Sequence, residues 1–143
     1  CFSLMLGFSQ PVELGFDAAI VKNSDISWIS INSSKPDRTD NPSVLVHSSN
    51  EWADKNIDSK HGKACDHLLK TLGNMVELPF ENLAFKDIKL WRYANVAKQN
   101  NNRIFLDVKN KLGACGDWCI KGRVEAAFQS GERIAKELLP YLN

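Results

Sequence analysis

The chain has 143 residues, a length that fits one domain and buries roughly two-thirds of the unfolded surface, enough for an independent core. Its 18 Lys and Arg are intermixed with 17 Asp and Glu for a net charge of +1, with no basic block, which excludes the field needed to grip a nucleic-acid backbone. No apolar run approaches the roughly 20 residues required to cross a bilayer, and the apolar start, broken by Ser3 and Gly7, reads as a buried strand rather than a signal sequence.

In chain order, Phe2 to Ser9 predicts a first strand that stops at Gln10-Pro11, because proline restricts its predecessor and cannot donate to a ladder. After Phe16 to Val21 and a polar Lys22 to Asp25 turn, Ile26 to Asn32 is again strand-like. Ser33 to Pro42 is loop by composition, and Ser43 to His47 is a short Val-rich strand. Ser48 or Ser49 is placed to cap a short helix over Glu51 to Ile57. Cys65, Leu68, Leu69, Leu72, Met75 and Val76 fall on one stripe of a helix from about Gly62 to Glu77, ended by Leu78-Pro79. Lys86 to Ala94 predicts a strand. Ile104 to Asp107 and Lys111 to Cys115 suggest a hairpin pair. A last helix from about Gly122 to Leu139 carries Val124, Ala127, Phe128, Gly131, Ala135, Leu138 and Leu139 on one stripe. Three or four turn-connected strands with flanking helices predict an α+β fold with a mostly antiparallel sheet, closed by a strand-loop-helix unit.

That closing unit, Ala114 to Gly131, carries the strongest functional signal. A short apolar strand, a Gly116-Asp117 turn, a glycine-bearing loop and a helix start suit an anionic or electron-rich cofactor. The opening amides of a helix have no partner inside it, and the aligned dipoles add roughly half a positive charge there. Gly116 and Gly122 let backbone approach a ligand closely, and Asp117 is placed to accept a hydrogen bond from a sugar or polyol hydroxyl. Taken alone, an ordinary loop in which Asp117 caps backbone amides accounts for the turn equally well.

The string Gly116-Asp117-Trp118-Cys119 followed by Gly122-Arg123-Val124-Glu125-Ala126-Ala127-Phe128-Gln129-Ser130-Gly131 resembles the C-terminal flavin-binding segment of the renalase-like branch of FAD-dependent amine oxidoreductases. The resemblance extends to Trp28 to Arg38, Ser48 to Trp52 and Trp91 to Ala94, and so spans most of the chain. It implies that Asp117 meets the ribityl or pyrophosphate part of FAD and that the following helix points its N-terminus at the pyrimidine edge of the isoalloxazine. The implied cofactor-contacting residues are Gly116, Asp117, Trp118, Gly122, Arg123, Val124 and Glu125. It further implies a hydride-accepting oxidoreductase, with amines or dihydronicotinamide nucleotides as electron donors and oxygen as acceptor.

Members of that family open with a Gly-x-Gly-x-x-Gly turn that holds the ADP half of FAD, and no such triplet occurs among the eight glycines here. With a start at Cys1 and no initiator Met, the expectation is a fragment. Residues 1–110 would be a substrate-binding α+β domain and 111–143 the FAD-contacting segment, with the dinucleotide-binding domain as the missing partner. Such a piece is expected to lack activity by itself, to hold FAD poorly, and to expose a cofactor face open to self-association. The competing expectation is a non-catalytic α+β interaction domain in which Gly116 to Gly131 is only packing.

The resemblance also suggests an aromatic cleft above the isoalloxazine from Trp28, Trp91, Tyr93 and Trp118, although aromatics in strands commonly pack a core. Asn32 and Lys35 lie in a polar loop after a strand and repeat a family pattern, and the charge of Arg92, between Trp91 and Tyr93, needs either solvent or a partner, a substrate phosphate or an acidic neighbour. The substrate-pocket set is therefore Trp28, Asn32, Lys35, Trp91, Arg92 and Tyr93. Cys115 and Cys119 lack the compact N/S spacing of a zinc site, so no metal is expected and both read as buried thiols, Cys119 becoming reactive only if the helix start lowers its pKa. Four sparse cysteines point to a reducing, cytoplasmic setting.

Overall fold

The computed structural model describes residues 1–38, 41–96, 99 and 104–141. It divides into two compact units, Cys1–Ala94 and Asn95–Asn143. The sequence-based boundary at 110 runs through the turn of a hairpin that lies wholly in the second unit.

The first unit is built on a five-stranded, entirely antiparallel sheet. Its strands are β1 (Phe2–Phe8), β2 (Ala18–Ile20), β3 (Ile26–Ile31), β4 (Ser43–Ser48) and β5 (Leu83–Leu90), in spatial order β2-β3-β4-β1-β5. Alternation in β1 sends Phe2, Leu4, Leu6 and Phe8 to one face, where the register sets Leu4 between Val46 and Ile88. Two helices belong to the unit, α1 (Asn50–Lys55) and α2 (His61–Gly73). Ala64, Cys65, Leu68 and Leu72 of α2 join that apolar face to form the core. Ser49 caps α1 by accepting from the Trp52 amide at 3.2 Å, whereas Ser48 is buried and accepts from the Phe2 amide at 2.9 Å.

Three boundaries differ from the sequence expectation. β2, within the unassigned 16–21 run, makes a fifth strand by pairing with β3. α2 ends at Gly73-Asn74, two poor helix formers, so Met75 and Val76 of the expected stripe fall beyond the helix. β5 runs Leu83–Leu90 rather than 86–94, because its ladder with β1 ends in the reciprocal bonds between Cys1 and Trp91, and Arg92 and Tyr93 lie in a turn.

The second unit holds a hairpin of β6 (Phe105–Asp107) and β7 (Leu112–Ala114), a 3-10 turn at Asp117–Cys119, and α3 (Val124–Leu138). The Asp107 carboxylate closes the hairpin turn by accepting from the Asn110 amide at 3.1 Å and from its side chain at 2.8 Å. α3 does not bury the stripe expected for it. Ala126 and Ser130 are buried and Ile134 is half-buried, while Val124 is 90% and Phe128 68% exposed. Ile134 is held against the hairpin, where a Cβ on Gly113 would lie 3.0 Å from Ile134 Cδ1. No helix among the described residues is long and apolar enough to cross a membrane.

Candidate functional site

The approach to α3 is organised around Gly116 and Asp117. Gly116, in extended conformation at φ 166°, donates its amide to Ser130 Oγ at 3.0 Å, which ties the end of β7 to the middle of α3. The half-buried Asp117 starts the 3-10 turn; its carbonyl accepts from the amides of Ile120 and Lys121, and its Oδ1 accepts from the Trp118 amide at 2.8 Å. Oδ2 is turned toward Gly122 and lies 3.7 Å from the position a Cβ would occupy there. The carboxylate of Asp117, seven residues ahead of α3 in the chain, thus has Oδ2 beside Gly122, two residues before the helix starts.

Arg123 precedes α3 in extended conformation and no side chain caps the helix. Its carbonyl takes the amides of Ala126 and Ala127, so the amides of Val124 and Glu125 come earlier than the first helical bonds. The exposure of Val124 keeps this end open, and Glu125 accepts from Gln129 at 3.1 Å one turn along. Here the aligned peptide dipoles favour negative charge.

Trp118 stacks on Phe105 of β6, with centroids 5.6 Å apart and planes at 23°. Cys119 is buried, as read from the sequence, and burial pushes its thiol pKa up, so the condition attached to its reactivity, a pKa lowered by the helix start, is not met. Cys115 is exposed, so only one of the two thiols read as buried is so. A cavity of about 930 Å³ lies between hairpin and helix, lined by apolar residues such as Leu106, Leu112, Ile134, Leu138 and Tyr141. It escapes sequence reasoning because its walls come from β6, β7, α3 and the turn that follows α3.

In the first unit, the residues read as a substrate pocket fall into two groups. Trp28, on β3, and Asn32 and Lys35, just beyond its end, form one group; Lys35 Nζ donates to Asn32 Oδ1 at 2.8 Å. Trp91, Arg92 and Tyr93 form the other, in the exposed turn after β5. Arg92 lies 3.7 Å from Asp58, an acidic neighbour.

Trp28 belongs to the sheet face opposite the core. Across that face the register aligns Ile20, Trp28, His47, Ser3 and Lys89 in one row, and Ala18, Ser30, Leu45, Met5 and Asp87 in the next. Ser3 Oγ and His47 Nδ1 are 2.9 Å apart, and Cys1 Sγ lies 3.9 Å from the same nitrogen. Burial first, and also the positive charge of Lys35, hold the His47 pKa below the ordinary imidazole value. His47 and Ser3 were missed as site residues. The available signal was the alternation of β4, which sets His47 in opposite phase to Val44 and Val46.

No protein-family model matches the chain.

Proposed function

We propose that this chain is the substrate-side domain and closing flavin segment of an FAD-dependent oxidoreductase whose ADP-binding part lies outside these residues. The observation that carries the proposal is the α3 N-terminus, which has no side-chain cap and is preceded by the Asp117 carboxylate turned toward a glycine. The residues fit the cofactor by chemistry: an acceptor for a polyol hydroxyl, a residue without Cβ beside it, and early helical amides suited to an electron-rich ring edge.

When bound, FAD supplies the ring that takes a hydride from an amine or dihydronicotinamide donor and returns the electrons to oxygen. The protein's own part is positional and electrostatic. Asp117 orients the cofactor by accepting a hydroxyl hydrogen bond and is neither acid nor base. The Val124 and Glu125 amides stabilise negative charge developing nearby, which favours reduction. The exposed Val124 and Phe128 are the residues we assign to contact with the ADP-binding domain. That exposure also favours a second reading, a non-catalytic interaction domain, which FAD binding separates from the first. Four free cysteines accord with a cytoplasmic setting.

The test is Asp117→Ala in the full-length parent. Losing a charged hydrogen bond worth about 1.5–3 kcal/mol should weaken FAD retention roughly tenfold to a hundredfold, with circular dichroism unchanged. Undiminished FAD occupancy refutes the assignment. The isolated chain should be colourless or lose FAD on dialysis, and a stoichiometrically yellow protein would show that no further ADP-binding part is needed.

A further inference from the structure

We propose that Ser3 is a positioning residue that holds His47 as an Nε2–H donor, on the sheet face opposite the core, for a small ligand that presents an acceptor oxygen. On the flavoprotein reading this ligand is the electron donor. The inference rests on that reading for the ligand's identity alone.

The direction of the Ser3–His47 bond follows from burial. Ser3 is 2% exposed, and its hydroxyl has one hydrogen-bond partner among the described residues, His47 Nδ1 at 2.9 Å. If Nδ1 carried the ring proton, the buried hydroxyl hydrogen would have no acceptor, at a cost of about 1–3 kcal/mol. Ser3 therefore donates, and the single proton of the neutral imidazole sits on Nε2. Cys1 Sγ, at 3.9 Å, further occupies the Nδ1 side. The lowered pKa of His47 keeps the ring neutral near pH 7. Nε2 has no protein partner among the described residues.

The neighbouring groups on this face are donors too. Ser30, in the adjacent row, is 2% exposed and its Oγ has no hydrogen-bond partner among the described residues. A buried hydroxyl left unpaired is costly and is tolerated where a further partner can complete it. Lys35 uses one of its three hydrogens on Asn32. Trp28 stands opposite His47 on the neighbouring strand and offers a flat apolar surface. The titratable groups toward His47 are Cys1 and Lys35, with Lys89 across from Ser3; Asp87, opposite Met5, is a carboxylate in the next row and already accepts from the Ile88 amide. A carbonyl, carboxylate or phosphate oxygen finds donors beside Trp28, whereas an ammonium finds Lys35 and a donating imidazole.

The 143-residue chain itself serves for the experiment, without flavin. Nitrogen-15 NMR of the histidine side chains should show His47 as the Nε2–H tautomer, kept in Ser3→Thr and giving way to a tautomer mixture in Ser3→Ala. Benzamide and benzylamine, which share a ring and differ in carbonyl against ammonium, are then titrated. Benzamide should shift the His47 resonances with at least tenfold tighter binding, and Ser3→Ala should lose that preference while Ser3→Thr restores it. A native Nδ1–H tautomer, a tautomer unchanged in Ser3→Ala, or equal or tighter benzylamine binding overturns the proposal. Failure of the parent to retain FAD overturns the flavin reading and leaves these results standing.

Discussion

Ser130, in the middle of α3, binds both backbone groups of Gly116, fourteen residues earlier in the chain. Its Oγ accepts from the Gly116 amide at 3.0 Å and shares its own proton between the carbonyls of Gly116 at 2.9 Å and Ala127 at 3.0 Å. The side chain is fully buried. One hydroxyl therefore fixes the end of β7 against the helix whose N-terminus Asp117 precedes. Ser130→Ala leaves the Gly116 amide without its acceptor and should lower stability by about 1–3 kcal/mol, measured by urea denaturation. Native stability in this variant would place the link elsewhere.

Gly116 is needed for space rather than for its φ, which any residue adopts. A Cβ there would collide with the Trp118 indole, lying 2.8 Å from Cδ1. Trp118 is 44% exposed, so the ring can swing outward at the cost of its stack on Phe105. Gly116→Ala should cost about 1–3 kcal/mol and red-shift the tryptophan emission. The emission change should disappear in a Trp118→Phe background.

The burial pattern of α3 separates two neighbouring positions. Phe128→Ser, on the open side, should change the unfolding free energy by no more than about 0.5 kcal/mol. Ala126→Glu forces a charge into a buried site and should destabilise by several-fold more, or prevent folding of this unit. Equal effects would show that the helix is rotated from the described position.

His47 gives a pH signature. Its folded pKa lies below the unfolded value of about 6.5, so as pH falls the unfolded chain takes up the proton first. Stability is full above about 6.5 and is lost as pH drops toward the folded value. His47→Gln should flatten that part of the pH–stability curve from urea midpoints between pH 7.5 and 5. An unaltered slope would exclude His47 as its source.

Leu68, wholly buried between α2 and the sheet, tests the core directly. Leu68→Ala should cost about 2–5 kcal/mol, whereas Met75→Ala, beyond the helix and exposed, should cost far less.

Much of the α+β architecture was written in local pattern. Alternation in Phe2 to Phe8, the Cys65-Leu68-Leu69-Leu72 stripe and the Ser49 cap each act within a few residues, and a period of two or of 3.6 fixes both element type and core face. The Gly116-Asp117 turn and the start of α3 were legible for the same reason. The ends of β5 and α2 were less so, because ladder partners and poor helix formers decide where pairing stops.

Other features required the assembled chain. The apolar arc of α3 is wide enough to bury either side, and the hairpin with Ser130 selected Ala126 and Ile134 over Val124 and Phe128. Ser3 and His47 are 44 residues apart and meet only because β1 and β4 pair in one register. Sequence by itself determined periodicity, and hence the elements and their amphipathic faces. Tertiary structure decided which faces meet and which polar groups share a row, because those depend on the shape and register of a partner distant along the chain.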